Sequence, residues 1–413
     1  MEVLYRSCCG IDVHKQLRVS CLLVVDEAGC QHKELRRFST MTGDLLTCVD
    51  WLKAAQCRAI AMESTGVYWK SPWNLMEGHF EIVMIVNAEH MKRVPRPGRP
   101  TRRMPSGSPS CYSWGFSNPA LSRLALELEL RDLTRLRTTM SRERTRLVNR
   151  LHKTLEDTNL KLSSVLTDIM GQTGRHILGA ILLGEEDPAV LADLALRRAA
   201  SKRDALALAL RGRVSDHHRL LLRELLEMIQ HHDQAIYRLD QKIEEHLRPY
   251  EPLIQQLDVI PGCSRRVIEI LFAEVGWDLS AFPDAAHLAS WVGICPGNNE
   301  SGGQRFSGRI RKGNRWVKAI LVQAAQAAAR TKNTYLSAQY HQIAARRGNK
   351  RAAVAVGHSI LVIYYHMLTT GEPYREKGAD YFSELDRTHA ERRFTKQLER
   401  LGYQVTLTPA QIV

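Results

Sequence analysis

The first hundred residues alternate short apolar runs with stretches of helical spacing. Cys8–Val13 and Val19–Asp26 read as strands, the second rich in Val and Leu and followed by a turn signal at Glu27-Ala28-Gly29. Leu45, Leu46, Val49 and Leu52 recur at helical spacing and predict a helix over Thr42–Ala55. Arg58–Met62 and Glu81–Val86 are apolar runs of buried-strand type, with a helix from about Ser71 to Gly78 between them. The order β-β-α-β-α-β predicts a mixed α/β sheet.

Beyond it the pattern turns helical. Leu121–Leu162 carries Leu124, Leu128, Leu133, Leu136, Val148 and Leu151 on helical spacing. In a second long helix, His217–Leu247, residues Leu222, Ile229, Ile236 and Ile243 stand seven apart with Leu225 and Leu239 between them. This is a coiled-coil pattern, interrupted by His232 and His246 at the two remaining seam positions. A seam between two chains and a hairpin with the 121–162 helix both satisfy it. From Leu257 a further domain is expected, with helices over Ser264–Val275, His287–Trp291, Trp316–Arg330, Tyr335–Arg346 and Lys350–Leu368. The reading divides the chain into 1–120, 121–250, 251–372 and a charged tail, 373–413.

One segment fits none of these patterns. Residues 95–119 hold six of the chain's fifteen prolines, five serines and four arginines, and no Asp, Glu, Ala, Val, Leu or Ile. That composition predicts an irregular basic loop or a disordered stretch.

Charge narrows the function. Across 413 residues the net charge is +14, which points to a polyanionic partner because Lys and Arg neutralise phosphates. No run reaches the roughly 20 apolar residues of a spanning helix, so no membrane partner is expected. No secretory signal opens the chain and no C-x-x-C pair occurs among the nine cysteines. Adjacent Cys8 and Cys9 read as small strand residues. A cytoplasmic protein is expected.

Three places can carry chemistry. Asp12, in Gly10-Ile11-Asp12-Val13-His14-Lys15, and Glu63, in Met62-Glu63-Ser64-Thr65-Gly66, lie at strand ends. Carboxylates there can converge on Mg²⁺, although strand-end acids also serve as turn or cap residues. Ile260-Pro261-Gly262 followed by Ser264, Arg265 and Arg266 has the look of a helix–hairpin–helix phosphate contact, or of a Gly turn with a Ser cap. The stretch Ile294–Gly303 presents Ser301 before two glycines, and Arg305, Arg309, Arg311 and Lys312 follow. That suits a nucleophile for a DNA phosphate, or a polar turn in a basic surface. Arg346, Arg347, Lys350 and Arg351 form a basic knuckle, while His358 reads as a core histidine.

Together, Gly-Ile-Asp-Val-His-Lys, Met-Glu-Ser-Thr-Gly and Cys-Pro-Gly-Asn-Asn-Glu-Ser-Gly-Gly resemble the DEDD-type transposases of the insertion-sequence one-ten family. Leu288-Ala289-Ser290-Trp291 and the stretch from Arg330-Thr331-Lys332 to Tyr340 add to the likeness, which runs from about residue 8 to 93 and from about 127 onward. The resemblance implies an RNase H-like (RuvC-like) mixed sheet, a long helical coiled-coil linker and a mainly helical, serine-bearing transposase domain. It implies Asp12 and Glu63 as Mg²⁺ ligands and Ser301 as the nucleophile that holds a DNA strand as phosphoserine. As partners it implies element ends and target DNA, a structured guide (bridge) RNA, and further copies of the chain in a dimer or tetramer. It also implies a bacterial, nucleoid-associated protein.

The chain departs from the family at one point. Where a Lys-Thr-Asp-x-x-Asp motif should supply the last two acids stands Arg99-Pro100-Thr101-Arg102-Arg103-Met104, and no Asp occurs from Ser64 to Arg131. A frameshift would account for this. Permitted codons for Arg99–Pro109, read in the neighbouring frame, can spell Lys-Thr-Asp-Ala-Lys-Asp-Ala-Glu-Trp-Ile-Ala. Two carboxylates instead of four, beside Arg102 and Arg103, predict weak or absent strand cleavage. Two other readings remain at this stage: a nucleic-acid-binding protein without catalysis, and a RuvC-like nuclease of branched DNA in which Ser301 plays no part.

Overall fold

The computed structural model describes residues 5–26, 30–63, 68–86, 125–296, 299–301, 304–382, 395–402 and 404–406, with side chains undescribed at 125–126, 299–301 and 304–307. The turn at 27–29, the segment 95–119 and the glycines at 302–303 lie outside the described residues. The chain divides into two compact units, Met1–Leu124 and Ala125–Val413.

The first unit is built on a five-stranded mixed sheet. Its strands are β1 (Ser7–Val13), β2 (Leu17–Val25), β3 (Gln31–Ser39), β4 (Ala59–Glu63) and β5 (Ile82–Val86), in the order β3-β2-β1-β4-β5. The first three pair antiparallel, whereas β1, β4 and β5 run parallel. Strand alternation gives the two faces different company. Helix α1 (Thr42–Ala54) lies on the face of Ile11 and Ser20, where Ser20 Oγ meets Cys48 Sγ at 3.5 Å and Phe38 packs on Trp51 at 5.7 Å. The opposite face carries Cys8, Leu23, Ala59, Ala61 and Val86 in one buried cluster. A short helix, α2 (Lys70–Met76), connects β4 to β5.

β3 is absent from the sequence expectation, for a physical reason. It is an edge strand whose only buried residue is Phe38, and Lys33, Glu34, Arg36 and Arg37 blunt the open edge. The alternation that marks a half-buried strand is therefore missing. Cys8 and Cys9 are small buried strand residues, and burial pushes the Cys8 thiol up to about 11.

In the second unit the coiled-coil pattern is satisfied within the chain. Helix α3 (Ala125–Asp157) packs antiparallel on the later long helix Asp216–Leu247. Leu222, Ile229 and Ile243 are fully buried there. The two seam histidines face acids of α3, His232 Nε2 at 3.5 Å from Glu143 and His246 Nε2 at 3.2 Å from Glu129. Each ring's Nδ1 lies near a carbonyl one turn earlier, Met228 O at 2.9 Å and Lys242 O at 2.8 Å. The interruptions in the apolar pattern are thus polar clasps.

A small helical head joins the two long helices. It comprises α4 (Leu162–Val165), α5 (Gln172–Leu182), α6 (Pro188–Asp193), a 3₁₀ turn at Arg197–Lys202 and α7 (Arg203–Ala209), and leads into α8 (Asp216–Leu247). Leu151, Leu155, Ile177, Ile181, Leu206 and Leu222 share its core. Ser215 and His218 close α8 with a capping box.

The remainder packs around α9 (Glu251–Asp258), α10 (Arg265–Glu274), α11 (Ala285–Val292), the hairpin β6 (Asn299–Ser301) and β7 (Gln304–Ser307), α12 (Arg315–Ala328), α13 (Tyr335–Arg347) and α14 (Asn349–Thr370). By length and composition alone, α14 could span a membrane. Half of its apolar window is buried inside the chain. Val356, Ile360, Leu361 and Tyr364 are covered, and Tyr364 OH donates to Gly276 O at 2.6 Å. It serves as the core helix of this domain. His358 is half-buried on it, and burial lowers its pKa.

Candidate active site and nucleic-acid interface

Strand pairing brings the two predicted acids together. The parallel register of β1 and β4 runs from Cys8↔Ala59 to Ile11↔Met62. Asp12 and Glu63 are the next residue on each strand, so they stand side by side and share a face. The residues behind them on that face are small: Gly10 pairs with Ala61 and Cys8 with Ala59. Asp12 also pairs with His14, whose Nε2 lies 3.3 Å from Oδ2. Among the described residues no third His, Cys, Asp or Glu joins them in a metal-binding group. The oxygen-only donors suit a hard divalent cation that keeps waters or phosphate oxygens as its other ligands. Two carboxylates can serve one such ion but not clamp a pair.

Ser301 ends β6 and pairs with Gln304 across the hairpin, while Glu300 pairs with Arg305. The hairpin's foot is the bridge between Pro296 and Ile310. Below it the chain is fastened rather than loose. A Cβ on Gly313 would come within 2.2 Å of Val292 O, and Gly293, at φ +74°, is pressed against the Arg311 carbonyl and Gly313. Asn314 Oδ1 then caps α12 by accepting from the Trp316 and Val317 amides, and its Nδ2 donates to Glu274 at 2.6 Å. Arg309, Arg311 and Lys312 are therefore presented, exposed, from a loop with a fixed end.

The other predicted cations fare differently. Arg265 donates to Glu251 at 2.7 Å and to Glu269 at 3.2 Å, and the Glu251 hydrogen bond raises its pKa. Arg266 donates to Asp240 at 3.2 Å. Both guanidiniums are neutralised inside the chain, which leaves less charge to offer a phosphate. Gly262, at φ +84°, has its own structural reason: a Cβ there would meet the Ala324 carbonyl of α12 at 2.2 Å. Ser264 stands at the N-cap of α10 but makes no side-chain cap hydrogen bond.

Arg346 and Arg347 lie in the last turn of α13, where cations complement the helix dipole. Lys350 and Arg351 instead open α14, next to its positive end, an arrangement that costs stability unless an anion approaches. All four are exposed around Gly348, at φ +82°.

A cluster the sequence reading missed lies beside the serine hairpin. Trp316, the second residue of α12, is covered by the guanidiniums of Arg135, Arg142 and Arg315 at 5.7, 5.3 and 5.0 Å from its ring centre. Arg135 also grips the buried Glu274 with two hydrogen bonds, 2.6 and 2.8 Å. The signal available in the sequence was the seven-residue spacing of Arg135 and Arg142.

Two family models match, one on each candidate region. A DEDD transposase model matches residues 9–102, which include Asp12 and Glu63. A model for the transposase IS116/IS110/IS902 family matches residues 254–342, which include Ser301. Two separate parts of the chain thus match models of transposases of this family. The first match ends at residue 102, inside the stretch where the acidic motif is missing. Among similar proteins, a probable family 20 transposase of Pseudomonas aeruginosa is 29% identical over 159 residues, 38% of this chain and 46% of that protein. The transposase for insertion sequence element IS1111A of Coxiella burnetii is 25% identical over 251 residues, 60% of each chain. The chain thus spans about half the length of these curated relatives.

Proposed function

We propose that this chain is the DNA transposase of an insertion sequence, which cuts and rejoins strands through Ser301 and uses Asp12 and Glu63 as carboxylates for Mg²⁺. The observation that carries the reading is the side-by-side placement of Asp12 and Glu63 on parallel strands within the segment matched by the DEDD model. The mixed sheet built around them supports a RuvC-like domain.

In the proposed step Ser301 Oγ attacks a DNA phosphorus and forms a phosphoserine ester. The phosphodiester P–O bond to the leaving strand breaks, and that strand's hydroxyl takes the proton the serine gives up. Rejoining is the reverse attack by a different strand's hydroxyl, so no external energy source is needed. A bound divalent cation would supply charge stabilisation at the phosphate. Arg305, Arg309, Arg311 and Lys312 would hold that phosphate's neighbours, with Arg346, Arg347, Lys350 and Arg351 further along the strand. Family likeness extends the proposal to a structured guide RNA and to assembly of several copies.

A second reading, binding without cutting, is favoured by one observation: residues 64–131 contain no Asp. One experiment separates the two. The chain as written, and a version with residues 99–109 replaced by the restored-frame sequence, are incubated with guide RNA, Mg²⁺ and element-end DNA, then denatured. A covalent protein–DNA adduct that disappears in Ser301→Ala supports the proposal. An adduct that survives Ser301→Ala, or none from either chain, overturns it.

A further inference from the structure

The outer face of α3 carries a basic row in which Asn149 is the one neutral member. At 100° per residue, Arg142, Arg146, Asn149, Arg150 and Lys153 fall within about one third of the helix circumference. This face is turned away from the seam residues Leu147, Leu151 and Leu155, which are buried. All five side chains are exposed, and none of the four cations forms an ion pair among the described residues. The acids of this helix lie elsewhere. Glu143 turns toward His232, and Glu156 and Asp157 come only after the row has ended.

At its other end the row is anchored. Arg142 reaches Trp316, where it joins Arg135 and Arg315, and the exposed Arg311 and Lys312 follow along the same loop. The basic surface therefore runs from the foot of the serine hairpin onto the long helix.

We propose that this face of α3 is a phosphate-backbone track for duplex DNA, continuous with the serine hairpin's basic loop. The proposal rests on the reading of the chain as a DNA-handling protein. Arg142 to Lys153 spans about 16 Å of helix, the length of roughly five base pairs of duplex. The row offers no large apolar anchor, which a protein partner would need. Its one nearby aromatic ring is already covered by guanidiniums, so it gives unpaired bases no stacking platform. A straight row of unpaired cations on a rigid helix suits a regular duplex backbone and reads no sequence.

The test is fluorescence anisotropy of the full chain with a mixed-sequence DNA duplex across a NaCl series. The triple variant Arg142→Ala/Arg146→Ala/Arg150→Ala should bind about tenfold or more weakly, with the slope of log affinity against log salt reduced by roughly two to three. A control, Arg211→Ala/Arg223→Ala/Arg238→Ala, removes equal charge elsewhere and should change the slope by less than about one. If losing Arg142 disturbs folding around Trp316, Arg146→Ala/Arg150→Ala/Lys153→Ala carries the same expectation. An unchanged slope in both track variants, or a loss no greater than the control's, overturns the track. So does a loss confined to an RNA duplex. If neither the unmodified nor the restored-frame chain forms the Ser301 adduct while both still bind DNA, the enzymatic reading falls and the track stands.

Discussion

Arg137 of α3 is almost wholly buried, 2% exposed, and donates to the buried carboxylate of Glu269 on α10 at 2.5 Å. The same Nη1 reaches Asp240 of α8 at 3.0 Å. One guanidinium thus ties both arms of the long hairpin to the serine-bearing domain. The bond network is incomplete, since Arg137 Nε and Nη2 find no partner among the described residues. Removing Arg137 leaves the buried Glu269 with only the more exposed Arg265 as counter-charge and opens the space between three helices. Arg137→Ala should therefore destabilise the protein by about 3–5 kcal/mol. The double variant Arg137→Met/Glu269→Gln should cost less than Arg137→Ala alone. Urea titration followed by tryptophan fluorescence measures both, and a loss below about 1 kcal/mol for Arg137→Ala would contradict the assignment.

A similar knot sits at the start of α12. Asn314 caps that helix and donates to Glu274, which also receives Arg135. Asn314→Ala should cost about 1–2 kcal/mol from the lost cap. Because the cap stands between the serine hairpin and α12, the variant should also make the loop at Arg311–Gly313 more open to limited trypsin digestion. Unaltered cleavage there would argue against the cap as the loop's anchor.

The pH response of the helical hairpin follows from Asp233. Burial acts to raise its pKa, but hydrogen bonds from Arg144 and Arg175 outweigh this and hold it below the ordinary carboxylate value. A folded-state pKa below the unfolded one means stabilisation that is present at neutral pH. It is lost as the pH falls through the ordinary carboxylate range toward the depressed value. Thermal midpoints of the unmodified chain and Asp233→Asn should therefore differ at pH 7 and converge toward pH 3. A difference that stays constant across that range would exclude Asp233 as the source.

These contacts also mark where sequence stops being informative. The strands of the central sheet were legible because β1, β4 and β5 are buried and apolar. The polar edge strand β3 was not, since an edge needs charge more than hydrophobic alternation. Asp12 and Glu63 were visible as strand-end acids, but their adjacency is a matter of register, which no periodicity reports. His232 and His246 looked like flaws in a coiled-coil seam; only the facing helix supplies Glu143 and Glu129. Arg265 and Arg266 looked free for phosphate because their carboxylates, Glu251 and Asp240, are remote or on another helix. Ser301 stood out through its glycine neighbours, and the hairpin around it did not.

The acidic site yields the sharpest prediction. On the function proposed above, the carboxylates of a DEDD site share the positive charge of the cations they hold, and Asp12 and Glu63 would supply half of the set. The chain as written carries Arg99, Arg102 and Arg103 where the family it resembles has Lys-Thr-Asp-x-x-Asp, so in sequence cations replace anions. Strand cleavage by the purified chain should be weak or absent in Mg²⁺, while DNA binding is retained. Replacing residues 99–109 with Lys-Thr-Asp-Ala-Lys-Asp-Ala-Glu-Trp-Ile-Ala should restore metal-dependent cleavage by about a hundredfold or more, the scale of electrostatic stabilisation at a transferring phosphate. Asp12→Asn in the restored chain should abolish the gain. Equal cleavage by both chains would show that two carboxylates suffice, and coding DNA unable to spell the motif in a neighbouring frame would remove the frameshift as its origin.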